Sequence, residues 1–281
     1  MKDLKGKVAV VTGGASGLGR AMATHFAREG MHVAIADIEQ QGLDATVAEL
    51  RALGVKAIGM RTDVSKGPQV DALARRVVDE FGGVHVVCNN AGVSPLGLAW
   101  ENTLSDWEWM LGVNLWGVIH GVRAFTPLLL AQDEGHIVNT ASVAGLITPP
   151  NSAMYNVTKH AVVALTETLF HDLGEKRSKV GCSVLCPAYV PTGIADSERS
   201  RPAELANPRQ EKSPELRAKE EMLRKAVRSG RLTADDIGAA VVSAVKEDRF
   251  YILTHPRING AIRARMEDIL DGRQPRNPMT L

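Results

Sequence analysis

The chain has 281 residues, 23% of them charged, and a formal net charge of +1. Charge this close to balance gives no electrostatic basis for binding nucleic acid or an anionic membrane surface. The length suits a single α/β domain over 1–281 with a substantial core.

In chain order, the β-branched apolar run 7–12 reads as a strand. It is followed by a turn with Gly13, Ser16, Gly17, Leu18 and Gly19, then a helical pattern over 20–29 stopped by Gly30. Strand, glycine-rich turn and helix together form a dinucleotide-binding signature. The glycines let backbone approach a pyrophosphate, and the helix start presents free N–H groups. A second strand, 32–36, ends in Asp37, eighteen residues after Gly19, where a carboxylate receives the ribose hydroxyls of NAD. The same carboxylate opposes the extra phosphate of NADP by about 4 kcal/mol at ~4 Å and an effective dielectric near 20. Ile38 follows, so no neighbouring Arg or Lys stands ready for that phosphate.

Further strand-like runs fall at 55–60, 84–89, 136–141, 181–186 and 250–253. Helical patterns lie between them at 39–53, 69–81, 105–131, 152–176 and 234–247, the last opened by a capping box from Thr233 to Asp236. This alternation implies a doubly wound parallel sheet, a three-layer α/β/α Rossmann fold. Ligands then bind beyond the carboxyl ends of the strands, where Thr12, Asp37, Asp63, Asn90 and Ser142 fall. Cys182 and Cys186 share one strand about 13 Å apart at ~3.3 Å per residue, too far to bridge. No apolar run of ~18–20 residues and no signal-peptide pattern is read, so a reducing cytoplasm is the expected location. No metal-ligand spacing is found.

Tyr155 and Lys159 stand four residues apart, which on a helix puts phenol and ammonium on one face. A free Tyr titrates near ~10, so service as a base near neutrality asks for a drop of roughly 2–3 units, about 3–4 kcal/mol. A unit charge at ~4 Å supplies about that much.

Thr12 and the glycine turn, Asp63-Val64, Asn89 to Gly92, Asn114, Ser142, the Tyr155/Lys159 pair and Pro187 follow one another in the order of the short-chain dehydrogenase/reductase family. The chain resembles that family from about residue 5 to 253. The resemblance implies an NAD-dependent enzyme acting on CH–OH. Asp63 would bind the adenine amino group, Val64 would pack on the ring, and Asn90, Ala91 and Gly92 would line the cofactor. Asn114 would hold a kinked helix, Ser142 the substrate oxygen, and Tyr155 would be the general acid/base. Lys159 would bind the nicotinamide ribose, with Pro187, Val190 and Thr192 meeting the carboxamide. One departure is visible: the family's Pro-Gly is Pro187-Ala188 here, and a methyl group costs something if that backbone needs positive φ.

Residues 195–231 are polar and broken by Pro202, Pro208 and Pro214 before a charged helical stretch, 215–228. By the resemblance this is the substrate-covering segment, a lid, the alternative being a solvated insertion; its Arg199 and Arg201 either meet an acidic substrate or are solvated loop charges. The expected pocket wall is apolar: Val93, Pro95, Leu96, Leu146, Ile147, Pro149, Met154, Tyr189 and Ile194, with Trp107 or Trp109 in reach. It suits a hydrophobic secondary alcohol or ketone, aromatic or polycyclic. The segment around Pro202 and the stretch 254–260 are also similar to bacterial dehydrogenases that oxidise benzylic alcohols of lignin-type aryl ethers. An NADPH-dependent carbonyl reductase, and a Rossmann-fold redox sensor without turnover, are the alternatives. The family pairs its long helices between subunits, implying a dimer or tetramer. The tail 254–281, with a candidate helix at 261–270, would cap its own pocket, a neighbour's, or pack on the surface.

Overall fold

The computed structural model describes residues 1–207 and 213–280, so Pro208 lies outside the described residues. The chain runs β1 (Val8–Thr12), α1 (Gly17–Arg28), β2 (His32–Asp37), α2 (Gln40–Ala52), β3 (Ala57–Arg61), α3 (Gly67–Phe81), β4 (Val86–Asn89) and α4 (Leu104–Leu111). It continues α5 (Gly117–Gln132), β5 (Gly135–Thr140), α6 (Ala153–Glu175), β6 (Val180–Leu185), α7 (Pro214–Arg228), α8 (Ala234–Glu247), β7 (Tyr251–Ile252) and α9 (Asn259–Leu270). The strands are parallel and lie in the order β3-β2-β1-β4-β5-β6-β7. Chain direction across the sheet reverses between β1 and β4, which opens a crevice at their carboxyl ends.

Val and Ala fill β1 without polar alternation because helices cover both faces. On one face Met22 and Phe26 of α1, Leu43 of α2 and Val241 of α8 form the core. On the other, Leu73 of α3, Phe125 of α5 and Leu169 of α6 do so. Each such side chain contributes roughly 1.5–3 kcal/mol when fully buried. The doubly wound sheet expected from the sequence is therefore present. The Thr233/Asp236 capping box also forms, with both reciprocal bonds made.

Two expectations are corrected. The single helix expected over 105–131 is interrupted by a π-helical turn, Gly112–Trp116, between α4 and α5. Together they make one helical stretch, Leu104–Gln132, long and apolar enough to cross a membrane by length and composition. This differs from the expectation that the chain has no apolar run of ~18–20 residues. Its Val118, Phe125 and Leu129 are buried against the rest of the fold, and Trp116 and Leu130 are exposed.

His136 and Ser183, fully buried side by side on β5 and β6, imitate a catalytic pair, with Asp248 Oδ1 3.6 Å from His136 Nδ1. Ser183 Oγ donates to the Arg249 carbonyl at 2.7 Å, so its proton is committed and His136 Nε2–H donates to it. His136 and Ser183 cross-link the two strands out of reach of any substrate, while Asp248 stands exposed at the end of α8.

Candidate active site

A cleft of about 2010 Å³ runs along the carboxyl ends of the strands, from Asp37 and Asp63 at one end to Tyr189 and Met222 at the other. Its first wall is the glycine turn. Gly13 (φ 66°) and Gly17 (φ 52°) adopt left-handed backbone that only glycine takes freely. A methyl group at Gly19 would fall 2.0 Å from the Gly13 carbonyl oxygen. Gly19 is thus buried beneath the turn and packs it, whereas Gly13, Ser16, Gly17 and Leu18 face the cleft. Ser16 caps α1 without a side-chain bond, leaving the helix's first N–H groups for a ligand. Thr12 Oγ1 stitches the turn to the next loop by accepting from the N–H groups of Asn90 (2.9 Å) and Ala91 (3.1 Å).

The Asp37 carboxylate accepts from the Ala15 N–H at 3.0 Å and the Glu39 N–H at 3.2 Å, and faces the cleft at the end of β2. Sheet register places Arg61 directly across from it, with Nε donating to the Ile38 carbonyl at 3.2 Å. The residues following Asp37 in sequence give no signal of this cation, which sheet register alone brings to it. Asp63, Val64, Asn90, Ala91 and Gly92 also line the cleft.

Tyr155 and Lys159 come together on one face of α6, Nζ standing 5.6 Å from the centre of the phenol ring. Lys159 Nζ is buried and donates to the Thr140 carbonyl at 2.8 Å. Burial pulls its pKa down to about 8. The phenol behaves differently from the sequence expectation: burial pushes its pKa up, with the hydrogen bond of the Ser142 hydroxyl opposing. The ammonium's close contact is the Thr140 carbonyl, so in the protein alone Tyr155 is a protonated acid. Ser142 Oγ donates to the Pro187 carbonyl at 3.3 Å and accepts from the Ala144 N–H at 3.2 Å.

Asn114 belongs to this group by position but lies behind the wall. It is 0% exposed in the π turn, and its carboxamide holds the backbone of Val93. It positions the wall and does not face the cleft.

Pro187, Ala188, Val190 and Thr192 line the cleft after β6. Ala188 is absent from the residues with positive φ, so the methyl group in place of the family's glycine carries no backbone strain. Among the expected apolar wall, Val93, Leu96, Ile147, Pro149, Tyr189 and Ile194 are present, as are both Trp107 and Trp109. Leu146 and Met154 are not. Met154, one residue before Tyr155, is turned about 100° around the helix and packs against Val93, Trp109 and Met110. Leu146 packs towards Val118 and Val162. Pro95 also stays outside the wall.

The described residues of the segment after Thr192 are tied down at several points. The Ser94 N–H donates to Ser197 Oγ (2.9 Å), Arg199 pairs with Glu39 (3.1 Å), and Lys219 Nζ donates to Asn151 Oδ1 (2.7 Å). Arg201 pairs with Asp106 at 2.6 Å and with Glu198 at 2.9 Å, its guanidinium 4.3 Å from the Trp109 ring centre. The two arginines are thus ion-paired within the chain, neither offered to an acidic substrate nor simply solvated. In the tail, the buried Asp268 holds Arg273 and Arg276, and Pro278 and Met279 line the cleft of their own chain. Among the described residues no group of three or more His, Cys, Asp or Glu gathers to hold a metal ion.

The short chain dehydrogenase family model matches residues 7–203. A "CLA biosynthesis dehydrogenase/reductase" of Lactiplantibacillus plantarum is 32% identical over 98% of this chain and 97% of its own length. A "C alpha-dehydrogenase" of Sphingobium is 30% identical over 98% and 89%. A crystal structure of a short-chain dehydrogenase/reductase from Burkholderia phymatum in complex with NAD superposes with a TM-score of 0.97, at 52% identity and full coverage of both chains. With the sheet order, the glycine turn and the Tyr155/Lys159 pair in place, the chain belongs to the short-chain dehydrogenase/reductase family.

Proposed function

We propose that the protein is an NAD-dependent oxidoreductase that interconverts a hydrophobic secondary alcohol, aromatic or polycyclic, and its ketone. The observation that carries this reading is the continuity of one cleft, which joins the glycine turn and Asp37 to Ser142, Tyr155 and Lys159. The residues fit a dinucleotide. The turn has no room for side chains at Gly13 or Gly19, and its helix N-terminus is uncapped. Asp37, which lines the same cleft, would accept from ribose hydroxyls, and Pro187, Val190 and Thr192 would flank the nicotinamide.

NAD, when bound, supplies the hydride acceptor and, in its oxidised form, a positive charge beside the phenol. Ser142 Oγ and the Tyr155 hydroxyl then hold the substrate oxygen between them. For alcohol oxidation the Tyr155 phenol would first lose its proton to solvent, favoured by the positive charges of Lys159 and the oxidised nicotinamide, and the resulting phenolate oxygen would take the hydroxyl proton. In ketone reduction the protonated phenol returns one, and the raised pKa means that this proton is in place near neutrality. Lys159 keeps a positive charge beneath the phenol while orienting the ribose. Val93, Ile147 and Trp107 shape an apolar wall, and the segment 195–231 acts as its lid.

The exposed Trp116 of the π turn before α5, with Val157 and Phe170 of α6, supports pairing of these helices in a homo-oligomer. Three buried free cysteines fit a reducing cytoplasm. The test of the function is NADH absorbance with a panel of aryl and polycyclic alcohols and ketones, using NADP in parallel. Turnover with NAD that Tyr155→Phe abolishes, with NAD binding intact, is expected. NAD binding without turnover across the panel would return the protein to the sensor class.

A further inference from the structure

The peptide group joining Pro187 to Ala188 is held at both ends. Its carbonyl accepts from Ser142 Oγ (3.3 Å) and from the Val143 N–H (3.0 Å). Its N–H donates to His255 Nδ1 at 3.2 Å, across 67 residues of sequence. The Thr254 hydroxyl lies 2.9 Å from the same nitrogen. Because the Ala188 N–H can only donate, Nδ1 is an unprotonated acceptor, and the ring proton sits on Nε2. Among the described residues the buried Nε2 has no hydrogen-bond partner, so the Nδ1 contacts are what hold the ring. Burial lowers the pKa of His255, with the Tyr189 backbone opposing, and the neutral acceptor form is the one at hand near neutrality.

We infer that His255 is a positioning residue for the nicotinamide end of the cleft, acting through the Pro187–Ala188 peptide group on both that loop and Ser142. The inference rests on the dehydrogenase reading above. The loop needs such a support. The β6 strand ends at Leu185, and the last ladder-like bond, from the Cys186 N–H to the Ile252 carbonyl (3.1 Å), comes two residues before Ala188. Beyond it the linker at Gly230 abuts the loop so closely that a methyl group there would lie 2.4 Å from the Tyr189 carbonyl oxygen. The peptide plane is therefore confined on three sides, and among the described residues the histidine supplies the one contact made by a replaceable side chain from the tail. Releasing the N–H lets the plane rotate. The carbonyl that orients the Ser142 hydroxyl turns with it. The adenine end, at Asp37 and Asp63, is built on different strands and is untouched.

The test compares NAD with ADP-ribose, which lacks the nicotinamide, by calorimetry on the full chain. His255→Leu is expected to weaken NAD about fivefold, the worth of one hydrogen bond, with ADP-ribose affinity unchanged. It should lower kcat by a similar or larger factor with little change in substrate KM. His255→Asn, whose Oδ1 can accept from the Ala188 N–H, should recover most of both. Equal weakening of the two ligands by His255→Leu, no effect at all, or an Asn variant no better than Leu would each overturn the proposal. A wild-type protein that binds ADP-ribose and NAD with equal affinity would overturn it too, since the loop would then make no nicotinamide contact. Failure of the wild type to bind either ligand would instead remove the dehydrogenase reading, and this inference with it.

Discussion

One carboxamide, that of Asn114, grips both polar groups of Val93: Oδ1 accepts from its N–H at 2.8 Å and Nδ2 donates to its carbonyl at 2.9 Å. The π turn supplies the extra residue that lets Asn114 face inward from a helix otherwise devoted to covering the sheet. The Asn114 side chain also closes the wall behind Gly92. A methyl group at Gly92 would lie 3.4 Å from Asn114 Oδ1 and 3.8 Å from Lys159 Nζ. Asn114→Leu keeps the volume but strands a buried donor and a buried acceptor. Stability to urea should fall by about 2–4 kcal/mol, and turnover should fall because Gly92 and Val93 lose their fixed position. Unchanged stability would show that the two bonds are replaced locally.

The ammonium of Lys159 sets an upper pH limit for ketone reduction. Its folded pKa, about 8, lies below the usual lysine value, so its charge is present below that pH and is lost as pH rises through it. Tyr155 is shifted in the opposite direction and stays protonated over the same window. Initial rates of NADH-dependent reduction should therefore be flat near neutrality and decline about tenfold per unit well above pH 8. Lys159→Met should be slow and lack that limb. A wild-type profile that keeps rising through pH 9 would contradict the assignment.

Much of this site was legible in the sequence because its residues hang on repeating elements. Asp37 and Ser142 lie at or just beyond strand ends, and Tyr155 and Lys159 are one helical turn apart, so local periodicity suffices to place them. The apolar wall was legible only in part. Met154 and Leu146 have the right chemistry, but their direction depends on which face of α6 or of the loop before it meets the cleft. Arg61 and His255 were not legible at all. Sheet register brings the first to Asp37 and the chain's return after β7 brings the second to Ala188, across 24 and 67 residues respectively.

Arg201 is a clamp on the segment over the cleft. Its side chain is 8% exposed and its partner's, Asp106, is 12% exposed. Burial works against the charge of Asp106, and hydrogen bonds from Thr103, Asn207 and Arg201 outweigh it, holding its pKa below the usual value. Asp106 also completes the capping box of α4 with Thr103. Arg201→Met leaves that carboxylate without its cation, a loss of about 3 kcal/mol for a buried pair broken from one side. Local release of 196–207 is the cheapest escape. Limited proteolysis should nick this segment faster, and substrate KM should rise more than kcat falls. The double variant Arg201→Met, Asp106→Leu should recover part of the loss. Additive effects of the two changes would show that the pair is not coupled.

His136 makes the fold acid-sensitive at a place remote from the chemistry. It is 1% exposed, and burial lowers its pKa to about 4, with Asp248 opposing. An unfolded chain takes up that proton at about 6.5. Above that pH both states are neutral, so the stability is fully present. As pH falls from about 6.5 towards 4 the unfolded state alone gains the proton, and stability is lost progressively. The loss from this one residue reaches about 2 kcal/mol at pH 5. His85, His160 and His255, also lowered by burial, add in the same direction, so wild type alone does not isolate the effect. Urea unfolding at pH 8 and pH 5 should therefore be compared between wild type and His136→Gln, whose amide can still donate to Ser183. The variant starts less stable but should lose about 2 kcal/mol less on acidification. Equal losses in the two proteins would mean that His136 is protonated in the fold, paired with Asp248.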